Sequence, residues 1–318
     1  MPRAWRIGLA LTALAAVALA SSLALGSHAI APLELTRLLF APDGGVNAQI
    51  VHELRLPRAL AAFGTGGLLA VAGALMQVLL RNPLADPYVM GASGGAAVGA
   101  LGAMLLGAGG ALIQGGAFGG ALASTALVFA LARREFAGAS LTDPGTGAPR
   151  LLLAGVMLAA LWTALVTLLL TVAPEARIRG MLFWLAGDLS AGTGGAAAWA
   201  ALLLITFAAR PIAAQALGVR VPALRRVLFV LASLATAVAV TTSGAVGFVG
   251  LVVPHALRLA IGNDQRVLLP ACALAGGTLL VLADSVARTV VAPQQLPVGL
   301  VTALLGVPSF LVLLLGRR

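Results

Sequence analysis

The chain has 318 residues, of which 60% are apolar and 9% charged, and its mean hydropathy is +1.05. A soluble domain carries about 25% charged residues because its surface faces water, so these proportions exclude a soluble globule and point to an integral membrane protein. The net charge of +10 comes wholly from arginine, because all 20 basic residues are Arg.

The first apolar run, Ile7 to Gly26, follows Arg3 and Arg6. A secretory signal with Ser27-His28-Ala29 as cleavage site is the competing reading. Signal cores run about 7–15 residues, and this run is longer, so it is read as a retained spanning helix. Further apolar runs occupy 59–80, 91–108, 109–132, 151–173, 193–209, 227–243, 244–261, 267–291 and 298–315, which makes ten. Each is close to the roughly 20 residues that a crossing helix needs. The cluster Gly107-Ala108-Gly109-Gly110 separates the third run from the fourth, since helices tolerate glycine clusters poorly. Ser243-Gly244 divides the seventh from the eighth, because 227–257 is too long for one crossing. Patterns such as Gly115-x-x-x-Gly119 predict close helix packing, since lipid supplies no hydrophobic drive between helices.

Arginine placement sets the expected orientation. With both termini inside, Arg3, Arg6, Arg81, Arg133, Arg134, Arg150, Arg210, Arg220, Arg225, Arg226, Arg258, Arg266, Arg317 and Arg318 are cytoplasmic, and Arg37, Arg55, Arg58, Arg177, Arg179 and Arg288 lie outside. That division obeys the positive-inside rule. The arginines are scattered between apolar runs instead of gathered on one face, which argues against nucleic-acid binding. A Walker A loop needs its lysine on the terminal phosphates. The chain has none, so ATP use falls to another chain. The single cysteine, Cys272, allows no intramolecular disulfide, and three isolated histidines make no metal site.

Three polar stretches interrupt the apolar pattern. Arg55-Leu-Pro-Arg58 opens the second span, and its plain reading is an interfacial anchor whose arginines snorkel to head groups. Arg81-Asn-Pro-Leu-Ala-Asp-Pro87 carries two prolines four apart, more than a simple turn requires, and predicts a rigidly shaped loop. Gly247-Phe-Val-Gly-Leu-Val-Val-Pro-His255 reads as a proline-kinked helix. Gly91-Ala-Ser93-Gly-Gly95 with His255 imitates the Ser–His dyad of an intramembrane protease, but so glycine-rich a chain produces that pattern by accident. An ion-coupled carrier is the other alternative. Its sole acidic candidate well inside a span, Asp284, is expected to be neutralised by Arg288 four residues on.

The run Arg55-Leu-Pro-Arg58, then Gly73-Ala-Leu-Met-Gln77, then Arg81-Asn-Pro-Leu-Ala-Asp-Pro-Tyr-Val-Met-Gly91 resembles the hallmark of the FecCD-type permeases. Gly247 to Arg258, Asp284-Ser-Val-Ala-Arg288 and Leu296-Pro-Val-Gly-Leu-Val-Thr302 with Gly306 extend the resemblance over residues 55–316. These permeases are the membrane subunits of ABC importers for ferric siderophores, haem and vitamin B12. The resemblance implies an all-α, vitamin-B12-permease-like fold of about ten transmembrane helices, with residues 1–318 forming one permease domain in the bacterial inner membrane. It implies no catalytic residue and no cofactor in this chain, with ATP and Mg bound by partner ABC ATPase subunits. A periplasmic substrate-binding protein and a second permease, as a homodimer, complete the expected assembly. By similarity, Arg55, Arg58 and Arg288 receive the binding protein, Asn82 and Leu84 form the inner gate, and Ala213, Gln215, Leu217 and Gly218 couple to the ATPase. The expected cargo is a ferric siderophore, then cobalamin, then haem. Two departures stand out. Gln295 replaces a Glu that the family usually carries before the last span, and the loop 210–224 is short for a coupling helix.

Overall fold

Within a bilayer every backbone N–H and C=O needs a partner from the chain itself, which a helix supplies from its own ladder. The computed structural model describes residues 2–26, 29–41, 44–131, 149–190, 195–214 and 221–315, and all of its regular elements are helical. They are α1 (Pro2–Ala24), α2 (Pro32–Phe40), α3 (Val46–Gln49), a π-helical turn (Ile50–Arg55) running into α4 (Leu56–Leu79), a 3-10 turn (Pro87–Met90), α5 (Ala92–Leu105) and α6 (Gly110–Leu131). After them come α7 (Pro149–Val172), α8 (Glu175–Leu185), α9 (Gly195–Ala214), α10 (Val221–Ser243), α11 (Val249–Ile261), α12 (Gln265–Thr289) and α13 (Val298–Leu315). Among the described residues six helical runs are long and apolar enough to cross a membrane, and α5, α9, α11 and α13 are shorter apolar helices. These ten coincide with the ten apolar runs of the sequence. The breaks expected at Gly107–Gly110 and at Ser243–Gly244 are both present.

The helices are not equivalent. In the most apolar 18-residue stretch of Val46–Leu79, 94% of the residues are buried, against 22% in that of Trp5–Ala24 and 11% in that of Leu153–Val172. α4 is therefore the axis of the bundle, packed on α9, α10, α11 and α12. Its composition makes this possible. A Cβ added at Gly66 would collide with the Gly276 carbonyl oxygen of α12, and one at Gly73 with the Gly250 carbonyl oxygen of α11. Backbone thus meets backbone at both crossings, and dispersion contacts replace the missing hydrophobic drive. Against α9, Phe63 stacks on Trp199 with ring centroids 4.8 Å apart, and the Trp199 indole N–H donates to the Leu60 carbonyl at 3.0 Å.

A second packing unit joins α5 and α6 through the same device, in a register the sequence reading missed. Gly115 and Gly119 face open space, with nothing within 4 Å of an added Cβ. The neighbouring pair, Gly116 and Gly120, meets Gly99 and Gly95 instead. Two elements are also additions to the sequence reading. α2 and α8 are too short and too polar to register as apolar runs, although α2 opens on Pro32 with Glu34 in its first turn and α8 follows Pro174 with Glu175 in its first turn, which favour a helix start.

The two glycine registers separate experimentally. Gly73→Ala overpacks the α4–α11 crossing and should cost about 1–3 kcal/mol, read as a lower melting midpoint of the purified chain. Gly115→Ala should leave that midpoint unchanged or raise it slightly, since it adds a helix former in open space.

Candidate functional site

Polar side chains gather at two places, one at each end of α4. At the N-terminal end, the π-helical turn delivers Arg55 beneath the last turn of α1. There its Nη1 donates to the carbonyls of Leu23 at 2.7 Å and Ala24 at 3.0 Å. Carbonyls at a helix C-terminus lack intrahelical partners and carry the negative end of the helix dipole, so Arg55 caps α1. Three residues on, Arg58 grips Asp284 of α12. Nε lies 3.0 Å from Oδ1 and 3.1 Å from Oδ2, while Nη2 is 2.9 Å from Oδ1. Its Nη1 donates to Gln295 Oε1 at 2.7 Å. Arg288 completes the group, with Nε 3.1 Å from Asp284 Oδ2 and Nη2 donating to Ser22 Oγ at 2.8 Å.

The structure thus gathers Arg55, Arg58 and Arg288 at one end of α4 and turns them inward. Arg55 is 6% exposed, Arg58 8% and Asp284 fully buried, so the reading as snorkelling anchors fails. The pairing of Asp284 also changes. Arg288 is one partner, but Arg58, 226 positions away, makes three of the contacts. Gln295 occupies the place where a glutamate was expected, and it still accepts from Arg58 through its amide oxygen.

At the other end of α4 the proline-bounded loop is held in one shape. Arg81 adopts a left-handed conformation (φ 49°) that reverses the chain as the helix ends. Asn82 Oδ1 accepts from the Leu84 N–H at 2.9 Å, and the Ala85 N–H donates to the Asn82 carbonyl at 3.1 Å. Asn82 and Leu84 are exposed at the tip. Asp86 Oδ1 caps the 3-10 turn by accepting from the Tyr88 N–H at 2.7 Å. The Gln77 side-chain amide donates to the carbonyls of Ala85 at 3.4 Å and Leu251 at 3.3 Å, and the Pro87 ring sits against Gly250. Tyr88 Oη accepts from the Val246 N–H at 3.0 Å. Tyr88 is the one tyrosine of the chain. Sequence reasoning passed over it, although its place between Pro87 and Gly91 in an otherwise aliphatic stretch was a signal.

Val246 belongs to a junction where three helices are interrupted. The break after α8 carries Gly187 (φ 87°), and the break between α10 and α11 carries Gly244 (φ 66°) and Phe248 (φ 69°). The third segment, Leu296–Pro297, leads into α13. The Asp188 N–H donates to the Ser243 carbonyl at 2.7 Å, and the Val298 N–H to the Gly187 carbonyl at 3.0 Å.

The protease pattern does not form a dyad. Ser93 lies in the first turn of α5, and among the described residues no hydrogen bond joins it to His255, which is buried on α11. Its glycines have packing roles: Gly91 (φ 72°) starts α5 and Gly95 meets Gly120. Ala213 lies in the last turn of α9, whereas Gln215, Leu217 and Gly218 fall outside the described residues. Among the described residues no three metal-ligating side chains converge.

Comparison with known proteins agrees with this architecture. The FecCD transport family matches residues 14–316. The cobalamin import system permease protein BtuC of Halobacterium salinarum is 40% identical over 285 residues, covering 85% of this chain and 74% of that protein. The vitamin B12 import system permease protein BtuC of Escherichia coli O9:H4 is 39% identical over 327 residues, covering 98% and 95%. Among solved structures, an inward-facing conformation of a metal-chelate-type ABC transporter superposes with a TM-score of 0.84 at 29% identity, covering 98% of this chain and 99% of that one. PsaBC from Streptococcus pneumoniae, in complex with a Fab, shares the fold at a TM-score of 0.54 and 20% identity over 81% of this chain.

Removing the shared carboxylate should be costly. Asp284→Asn leaves Arg58 and Arg288 buried without their counter-charge, and breaking a buried pair costs about 3–5 kcal/mol; a lower melting midpoint and poorer yield are expected. Gln295→Glu should instead be tolerated, since it gives Arg58 a charged acceptor at the same place. The loop end should respond to pH. Asp86 lies outside the spanning helices, where burial pushes its carboxyl up to about 6, against the opposing hydrogen bond from the Tyr88 N–H. Between the ordinary carboxylate range and that value the folded chain holds a proton that the unfolded chain has released. Its contribution to stability is therefore complete below about pH 4 and is lost as the pH rises through about 6. Melting midpoints of Asp86→Asn should show a flatter profile across this window.

Proposed function

The chain belongs to the FecCD transport family, and from that membership we propose that it is the permease of a binding-protein-dependent importer whose cargo is cobalamin or a similar corrinoid. As an ABC transporter permease it is a translocation subunit and not an enzyme. The observation that carries the cargo is the 39% identity to a vitamin B12 permease across 98% of the chain. A ferric siderophore, the first expectation from the motifs, is the second reading, favoured by the likeness to a metal-chelate-type transporter.

In this reading residues 1–318 form one permease domain in the bacterial inner membrane, with both termini in the cytoplasm, on the strength of the arginine distribution. The arginine end of α4 then faces the periplasm and the clamped loop faces the cytoplasm. Arg58 and Arg288 share a single carboxylate and Arg55 caps α1 on neutral carbonyls, so this end of α4 retains positive charge that suits an acidic binding protein. Such complementarity favours orientation and association rate over raw affinity. Asn82 and Leu84, exposed at the tip of the rigid loop, form the inner gate. Ala213, Gln215, Leu217 and Gly218 contribute to coupling with the ATPase, which binds the ATP and Mg; this chain carries no cofactor. A second copy completes the pathway.

The test is uptake by proteoliposomes containing this chain, its ATPase and its binding protein. ATP-dependent accumulation of labelled cyanocobalamin is expected, with a rate that falls as salt screens the docking charges. Accumulation of a ferric siderophore but not of cyanocobalamin selects the second reading. Transport of neither, by an assembled and ATP-hydrolysing complex, overturns both.

A further inference from the structure

The two ends of α4 are connected by a line of contacts that lies outside the helix ladders. At the arginine end, Gln295 accepts from Arg58 Nη1 at 2.7 Å. The next residue is tied down through the Leu296 N–H, which donates to the Ala287 carbonyl at 3.0 Å, and Val298 then donates to the Gly187 carbonyl at 3.0 Å. Asp188 donates to the Ser243 carbonyl at 2.7 Å. Three residues beyond Ser243, the Val246 N–H donates to Tyr88 Oη at 3.0 Å, and Tyr88 belongs to the loop that carries Asn82 and Leu84.

The geometry of this line suits transmission. Its joints lie at helix interruptions, where backbone groups have no intrahelical partner, so each bond fixes one element against another. There is no slack at the joints. A Cβ on Gly187 would stand 2.9 Å from Val246 Cγ2 and 3.1 Å from the Gly299 nitrogen, and one on Gly244 would collide with the Trp184 carbonyl oxygen. The segment also stores strain. Phe248 holds φ at 69°, a rare and costly region for a bulky side chain, and such residues recur in switch segments. Close-packed elements of this kind move between discrete arrangements instead of deforming smoothly.

We propose that the junction of residues 186–188, 243–248 and 296–298 is a relay between the Arg58–Gln295 contact and the loop 81–90, with Tyr88 as the positioning residue at its loop end. The inference deepens the transport reading and rests on it for its meaning: the state of the arginine end would set the state of the gate. The Gln77 and Pro87 contacts hold the loop to α4 and α11, whereas the Tyr88 oxygen ties it to the junction.

Contiguity alone does not establish coupling, so the experiment measures coupling between the two ends. The purified full-length chain in lipid nanodiscs is followed by hydrogen exchange of the loop amides at 82–90, as wild type, Gln295→Ala, Tyr88→Phe and the double variant. Gln295→Ala should accelerate loop exchange by about fivefold or more, the lower end of measured couplings. Tyr88→Phe should do the same by deleting one oxygen, and the double variant should go no faster than Tyr88→Phe alone. Exchange in α5 and α6 should stay at the wild-type rate throughout. Wild-type loop exchange in Gln295→Ala overturns the proposal. So does multiplication of the two effects in the double variant, which marks them as independent, or equal acceleration of α5 and α6, which marks general loosening. Should Tyr88→Phe fail to fold, Gln295→Ala against Gln295→Glu decides: the glutamate keeps the acceptor and should exchange as wild type, and equal acceleration in both overturns the relay. No cargo or partner enters this measurement, so its outcome and that of the uptake assay fail separately.

Discussion

The architecture depends on letting backbones touch along α4. A helix surrounded on every side cannot present large side chains all round, because its neighbours would be held apart and no set of four could close on it. Glycine and alanine remove that obstacle, and the approach of Gly66 to Gly276 and of Gly73 to Gly250 marks how far it is taken. Once α4 is enclosed, its two ends become the fixed points of the molecule. The arginine cluster forms where α1 and α12 close over one end, and the clamped loop forms where α11 meets the other.

Electrostatics in the arginine cluster are governed by burial. Two guanidinium groups, Arg58 and Arg288, share one carboxylate, a third caps α1, and carbonyl, amide and hydroxyl oxygens take further donors. Guanidinium suits this arrangement better than an ammonium. It is planar, presents donors in a fixed fork and is more weakly hydrated, so it loses less on leaving water. Arg58 uses that fork in full, with one edge on Asp284 and the remaining nitrogen on Gln295. The chain's exclusive use of arginine is thereby matched to the environment in which these cations sit.

The sequence was most informative about elements that satisfy one constraint over many residues. Ten apolar runs became ten helices, and glycine clusters and prolines marked the breaks, because the membrane imposes length and glycine imposes interruption wherever they occur. Contacts between distant residues were another matter. Arg288 could be paired with Asp284 from helical spacing, but Arg58 could not, since nothing local records that α4 and α12 lie side by side. Gly115 and Gly116 are equally good candidates on paper, and only the neighbour's position selects the second. The Arg55–Arg58 pair shows both sides of this. Their spacing places them on one face, yet whether that face looks to lipid, water or protein is decided by α1 and α12.

The π-helical turn at Ile50–Arg55 has a further consequence for how the chain tolerates change in length. Such a turn is an α-helix with one residue too many, and each residue of an α-helix advances the chain by about 100°. Upstream of it lie Glu34, which accepts from Asn47 Nδ2 at 2.7 Å, and the Leu38 carbonyl, 2.9 Å from His52 Nε2. Loss of one residue in this turn would restore a regular ladder and turn the segment just before it by more than a quarter of a revolution about the α4 axis. The small covering formed by α2 and α3 would then face a different neighbour, while Arg58 and the helix below it kept their places. Chain length at this point therefore acts as an angular setting. A single-codon insertion or deletion here would redirect α2 and α3, at the expense of the contacts of Val51 and Arg55, while α4 below Arg58 kept its packing.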